Sequence, residues 1–135
     1  MNKILAVALV AFLLSSCYYE EGPVISLRTQ KARIVNKWKY DNVTWNGLSY
    51  TDKFTNGYAE FIKSGDATFM IRQDSTNYGS WKLSDDNKTF DISMINSAGD
   101  STWSESYTIL KLKETEVWLT GDIDGITVRM ELKEY

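Results

Sequence analysis

The chain has 135 residues, with 15 Lys and Arg against 18 Asp and Glu and a net charge of −3. That is a moderate acidity without the basic stripe that nucleic-acid binding needs, so nucleic acid is not an expected partner. With no histidine and one cysteine, Cys17, neither a Ser-His-Asp nor a Cys-His centre can be assembled, and zinc would meet only carboxylates. No catalytic residue, metal ligand or cofactor is expected, and the chain does not read as an enzyme.

After Met1-Asn2-Lys3, an unbroken apolar run extends from Ile4 to Leu14. It is too short to cross a bilayer as a helix, which takes about 20 residues. A basic start, an apolar run and the small residues Ser15 and Ser16 follow the order of a secretory signal. Leu14-Ser15-Ser16-Cys17 resembles the lipobox of bacterial lipoproteins. The resemblance implies that residues 1–16 are a cleaved signal peptide and that Cys17 is the acylated first residue of the mature protein. One acyl chain binds a membrane only marginally, whereas several anchor it stably. Residues 17–25 then form a tether, and residues 26–135 a single domain without a disulfide. Within the tether, Glu20 and Glu21 resemble the lipoprotein export signal of Bacteroidetes, which implies the outer face of the outer membrane. Two glutamates in a solvated polar tether are the plainer reading of the same stretch.

From Pro23 to Asn36 the pattern is helical: Leu27, Ile34 and Val35 share a side with Ala32, Ser26 is the expected N-cap, and Arg28, Lys31 and Arg33 are expected to face out or snorkel. From Lys37 the period becomes two. Trp38 and Tyr40 share a face, then Val43 and Trp45, a phase shift that a bulge produces. Asn46-Gly47 is a strong hairpin signal, and a less regular strand through Leu48, Tyr50 and Phe54 follows. Strands are expected over Tyr58 to Lys63 and Ala67 to Gln73, a break over Asp74 to Asn77, and strands again from Tyr78 to Leu83 and through Phe90, Ile92 and Met94. Beyond the polar loop Asn96 to Asp100, Trp103, Glu105, Tyr107 and Ile109 share a face, and Leu110 and Leu112 mark another phase change. Val117 to Thr120 and Ile126 to Leu132 flank a turn at Asp124-Gly125.

Eight to nine short antiparallel strands joined by hairpin-length links predict a mainly β fold, an up-and-down barrel preceded by one short α-helix. Closure removes exposed strand edges, and Trp38, Tyr40, Phe69, Trp81, Phe90 and Tyr107 fall on the expected inner faces.

Ser26 to Trp38, Gly79 to Phe90, Tyr107 to Leu112 and Glu116 to Leu119 together resemble the lipocalin-like lipoproteins of Bacteroidetes. The resemblance covers most of the mature chain and implies a small lipocalin-like barrel, tethered to the membrane through acyl chains on Cys17, that binds a small apolar or amphipathic molecule. The matching motif residues are core and turn positions, so the resemblance carries no binding residue across.

Candidate ligand-binding residues come instead from the strand of Trp103, Glu105 and Tyr107. Period two carries Glu105 inward with its neighbours, where a carboxylate is costly unless it lies near a solvated strand end, pairs with an arginine, or orients a ligand at the barrel mouth. Trp45, Trp103 and Trp118 are not needed for the core and would form a contact patch if gathered at one rim. Asp85-Asp86 and Asp122-Ile123-Asp124-Gly125 are the nearest approach to a carboxylate pair, but turn chemistry accounts for both. Asp74-Ser75-Thr76 and Asp100-Ser101-Thr102, in expected loops, resemble O-glycosylation acceptor sites of Bacteroidetes. Two functions stay open: a binding module, or a structural or interaction protein with a filled barrel that meets an envelope or host protein.

Overall fold

A computed structural model describes residues 28–72 and 75–135. Cys17, Glu20, Glu21 and Ser26 lie outside the described residues, as does Asp74.

The described residues begin with a single helical turn, α1 (Gln30–Ile34). Its N-cap is Thr29, whose hydroxyl accepts from Ala32 N at 3.1 Å. The strands are β1 (Asn36–Trp45), β2 (Leu48–Ser49), β3 (Tyr58–Phe61), β4 (Asp66–Arg72), β5 (Ser75–Leu83), β6 (Thr89–Ile95), β7 (Ser101–Leu112), β8 (Glu116–Ile123) and β9 (Ile126–Glu134). Each pairs antiparallel with its neighbour in the order β2-β1-β3-β4-β5-β6-β7-β8-β9, and β1 pairs again with β9. Eight strands therefore close into a barrel, with β2 as a short arm folded back on β1. Closure pairs both edges of the sheet, which leaves few backbone groups to template association.

The phase shifts legible in the sequence are bulges. The β1–β9 register slips between Tyr40 and Asn42, which turns the inward face from Trp38 and Tyr40 to Val43. The β7–β8 register slips between Ile109 and Lys111, so Ile109 and Leu112 are both buried. Asn46-Gly47 and Asp124-Gly125 have positive φ at both positions, 49° and 79°, then 51° and 81°. This is the turn whose twist matches that of the flanking strands. The two turns stand side by side, with Asn46 N donating to Thr127 O at 2.8 Å and Thr127 N to Asn46 Oδ1 at 2.9 Å.

Three expectations need correction. The irregular strand after Gly47 is β2, two residues long, followed by a 3₁₀ turn over Thr51–Phe54. Here β1 has parted from β3, whose pairing ends at Lys39↔Tyr58, and the 3₁₀ turn packs in the gap with Phe54 against Tyr40 at 4.9 Å. The expected break over Asp74 to Asn77 is shorter, because β5 already starts at Ser75 and pairs with β4 from Arg72↔Ser75 onward. Ser75-Thr76 and Ser101-Thr102 accordingly lie in strands, all four exposed. Finally, Arg33 does not face solvent. It is 6% exposed, with Nη2 donating to Arg28 O at 3.0 Å and Nη1 to Leu112 O at 3.5 Å. A helix of one turn laid across the end of β7 turns this side chain into the seam, where backbone carbonyls accept its protons.

That end of the barrel is packed solid. Ile34 and Trp38 are 1% and 0% exposed, and Trp38 Nε1 donates to Ile34 O at 2.9 Å, so the helix end and the first strand lock to one another. Phe61 meets Phe90 at 5.0 Å and 87° and Trp81 at 6.0 Å and 62°, edge-to-face geometries favoured by the ring quadrupoles. Trp81 Nε1 donates to Ile62 O at 2.9 Å. Residues 28–135 thus contain the whole closed sheet and its core.

Candidate functional site: an apolar cavity at the open end

The other half of the barrel is hollow. Between the aromatic layer and the rim formed by the β1–β2, β6–β7 and β8–β9 turns lies a cavity of about 260 Å³. Phe61, Leu119 and Leu132 face its floor, and Phe69, Ile92 and Val128 its wall. Trp45, Phe54, Trp103, Ile123 and Ile126 stand nearer the mouth. Trp45 and Ile126 are each 37% exposed, and Trp45 is held by stacking on Tyr50 at 4.3 Å. The lining follows from period two, since β8 and β9 each send alternate aliphatic side chains inward.

Among the described lining residues none carries a charge, and the hydroxyls of Tyr40 and Tyr107 are the only ones present. Neither hydroxyl has a described hydrogen-bond partner. Burial, followed by the influence of Tyr107, pushes the Tyr40 phenol well above its ordinary 10.0. Burial, followed by the negative charge of Glu105, does the same to Tyr107. Both phenols remain neutral donors in an apolar space.

Of the three candidates on β7, Trp103 and Tyr107 line the cavity. Glu105 shares their face opposite Ile92, but it is half-buried and is not among the lining side chains. The β7–β8 pairing runs from Leu112↔Val117 to Thr108↔Thr120, and Glu105 lies beyond it, where a carboxylate can keep part of its hydration. No described side chain bonds to it.

The three tryptophans do not gather at one rim. Trp45 and Trp103 belong to the cavity, whereas Trp118 lies on the outer wall with Lys111 Nζ 3.8 Å and Arg129 Cζ 5.0 Å from its ring. Its neighbours Val117 and Leu119 are the buried pair, so alternation sends Trp118 outward. Asp85-Asp86 and Asp124-Gly125 lie in turns, while Asp122 lies near the end of β8, paired with Thr127. Ser84 Oγ and Lys88 N donate to Asp86 Oδ1 at 2.6 and 3.0 Å, and the Ser84 bond, with help from Lys88, holds the Asp86 carboxyl below its ordinary range. Among the described residues no cluster of three or more His, Cys, Asp or Glu could hold a metal ion.

Missed from the sequence were Tyr40 and Phe54 as cavity residues. Tyr40 reads as core by alternation, and Phe54 reaches the site only because the 3₁₀ turn brings it there.

A closed antiparallel barrel of eight strands with one short helix at its filled end and an apolar cavity at the other is a lipocalin-like fold. Solved structures agree. A lipocalin-like protein from Bacteroides uniformis superposes with a TM-score of 0.58 at 14% identity, covering 76% of this chain and 99% of that one. An uncharacterized protein from Bacteroides eggerthii gives 0.54 at 18% identity, covering 75% and 98%. At such identities the likeness is one of fold. No protein-family model and no curated protein matches the sequence.

Proposed function

We propose that this is a non-enzymatic, membrane-anchored binding protein that holds a small apolar or amphipathic molecule in its barrel. The observation that carries the reading is the apolar cavity of about 260 Å³ in a barrel whose other end is filled. Apolar walls left against water forgo burial free energy of about 25 cal/mol per Å², and an apolar ligand recovers it. In this proposal acyl chains on Cys17 anchor the protein to the outer membrane, and Glu20 and Glu21 direct it to the cell surface. Arg28, at the start of the described chain, pairs with Glu114 at 2.5 Å beside the β7–β8 turn, at the filled end. A tether arriving there would hold the barrel by its closed end and leave the mouth free.

The test is mass spectrometry, native and after organic extraction, on the domain from residue 22 onward purified from its own type of host. A stoichiometric small molecule is expected; protein that is repeatedly empty and refuses apolar probes would sink the reading. That outcome would turn attention to the competing one, an interaction protein meeting an envelope or host partner, for which Leu48 and Tyr78, 67% and 61% exposed, offer contact points. Anchoring is checked by replacing Cys17 with Ala, which should release the protein from the membrane fraction, and surface display by protease shaving of intact cells.

A further inference from the structure

Among its described lining residues the cavity has two chemical features besides its size: hydroxyl donors and no cation. Tyr40 on β1 and Tyr107 on β7 both line it, and neither phenol is hydrogen-bonded to a described residue. No described lining side chain is a lysine or arginine, and the chain has no histidine. A carboxylate brought here would lose its hydration without meeting a counter-charge, and an isolated buried carboxylate is costly. A fixed charge on the same strand as Tyr107 makes this worse. Glu105 sits on the inner face of β7 two residues from Tyr107, and its negative charge is felt at that phenol. An uncharged carbonyl, ether or hydroxyl loses less on leaving water, and two phenols stand ready to donate to it.

Size narrows the class further. At about 30 Å³ for each water-sized group, water's own share of its liquid, 260 Å³ holds on the order of nine such groups. We infer that the cavity selects a neutral, medium-chain amphiphile carrying one hydrogen-bond-accepting group, which Tyr40 and Tyr107 hold, and that it rejects the corresponding carboxylate. This rests on the binding reading above and assigns its ligand class.

The test compares nonan-2-one with octanoate, two probes of equal heavy-atom count, on the domain from residue 22 onward at pH 8, where octanoate is ionised. The emission of Trp45 and Trp103, both lining the cavity, reports binding, with calorimetry as a second measure. The ketone should bind at least tenfold tighter than octanoate. The double replacement Tyr40→Phe with Tyr107→Phe should weaken the ketone several-fold and leave nonane binding unchanged, and Glu105→Gln should strengthen octanoate while leaving the ketone alone. A difference smaller than tenfold between the two probes on the unaltered protein overturns the assignment of ligand class but leaves the binding reading standing. If ketone, octanoate and nonane all fail to bind, both are overturned.

Discussion

Gly121 on β8 makes room for the ring of Tyr107 on β7. A Cβ built at Gly121 would lie 2.9 Å from Tyr107 Cδ1 and 3.1 Å from the Ser106 carbonyl oxygen. The phenol thus occupies volume that any other residue at 121 would claim, and a missing side chain on one strand sets the position of a hydroxyl on the next.

Replacing Gly121 with Ala therefore forces either the Tyr107 ring or the β7 backbone to move. Overpacking of this kind costs about 1–3 kcal/mol. Urea denaturation should show that loss, and ketone binding should weaken because the phenol is displaced. Unchanged stability and binding would show that Tyr107 has slack which this close packing denies it.

The two ends of the barrel should respond in opposite ways to a change of volume. Trp38, 0% exposed in the filled end, is expected to cost about 3–5 kcal/mol on replacement by Ala. Ala59, 2% exposed and lining the cavity, can be enlarged to Leu into existing space, so thermal stability should hold or rise while ligand affinity falls at least fivefold. Denaturation and probe titration on the two variants separate the packing role from the binding one. Equal destabilisation by both changes would mean that the cavity is not open volume.

Alkaline titration reads the buried phenols. Folding raises Tyr40 and Tyr107 above their ordinary 10.0, so the folded state keeps protons that the unfolded chain releases. Their contribution to stability is complete below pH 10 and is lost as pH rises through the raised folded values. Ultraviolet absorbance should show Tyr40 and Tyr107 ionising only well above their ordinary 10.0 or together with unfolding. Loss of that late step in Tyr40→Phe with Tyr107→Phe would assign it, and ionisation of these two phenols near pH 10 would contradict their burial.

Much of the architecture was written locally. Alternation along Ile126, Val128, Met130 and Leu132 names the inner face of β9, the Asn46-Gly47 and Asp124-Gly125 pairs name their turns, and the slips after Tyr40 and Ile109 betray the bulges. Each signal arises from a few adjacent residues, because side-chain direction in a strand depends only on the position before it. Trp103 and Tyr107 could be placed on the inner face of β7 on the same ground.

What tertiary structure alone decided was what the inward faces add up to. The same alternation yields a solid aromatic layer around Phe61, Trp81 and Phe90 and a hollow around Tyr40, Ile92 and Val128. The difference lies in how side chains from separate strands meet at one height of the barrel. Registers and bulges set those heights, and no local pattern encodes their sum. For the same reason Arg33 reads as a surface cation until α1 is laid over the end of β7, and Phe54 reads as strand until β1 and β3 part to admit it. The sequence by itself determined a closed sheet with an apolar interior. Whether that interior was full depended on volumes converging from distant parts of the chain.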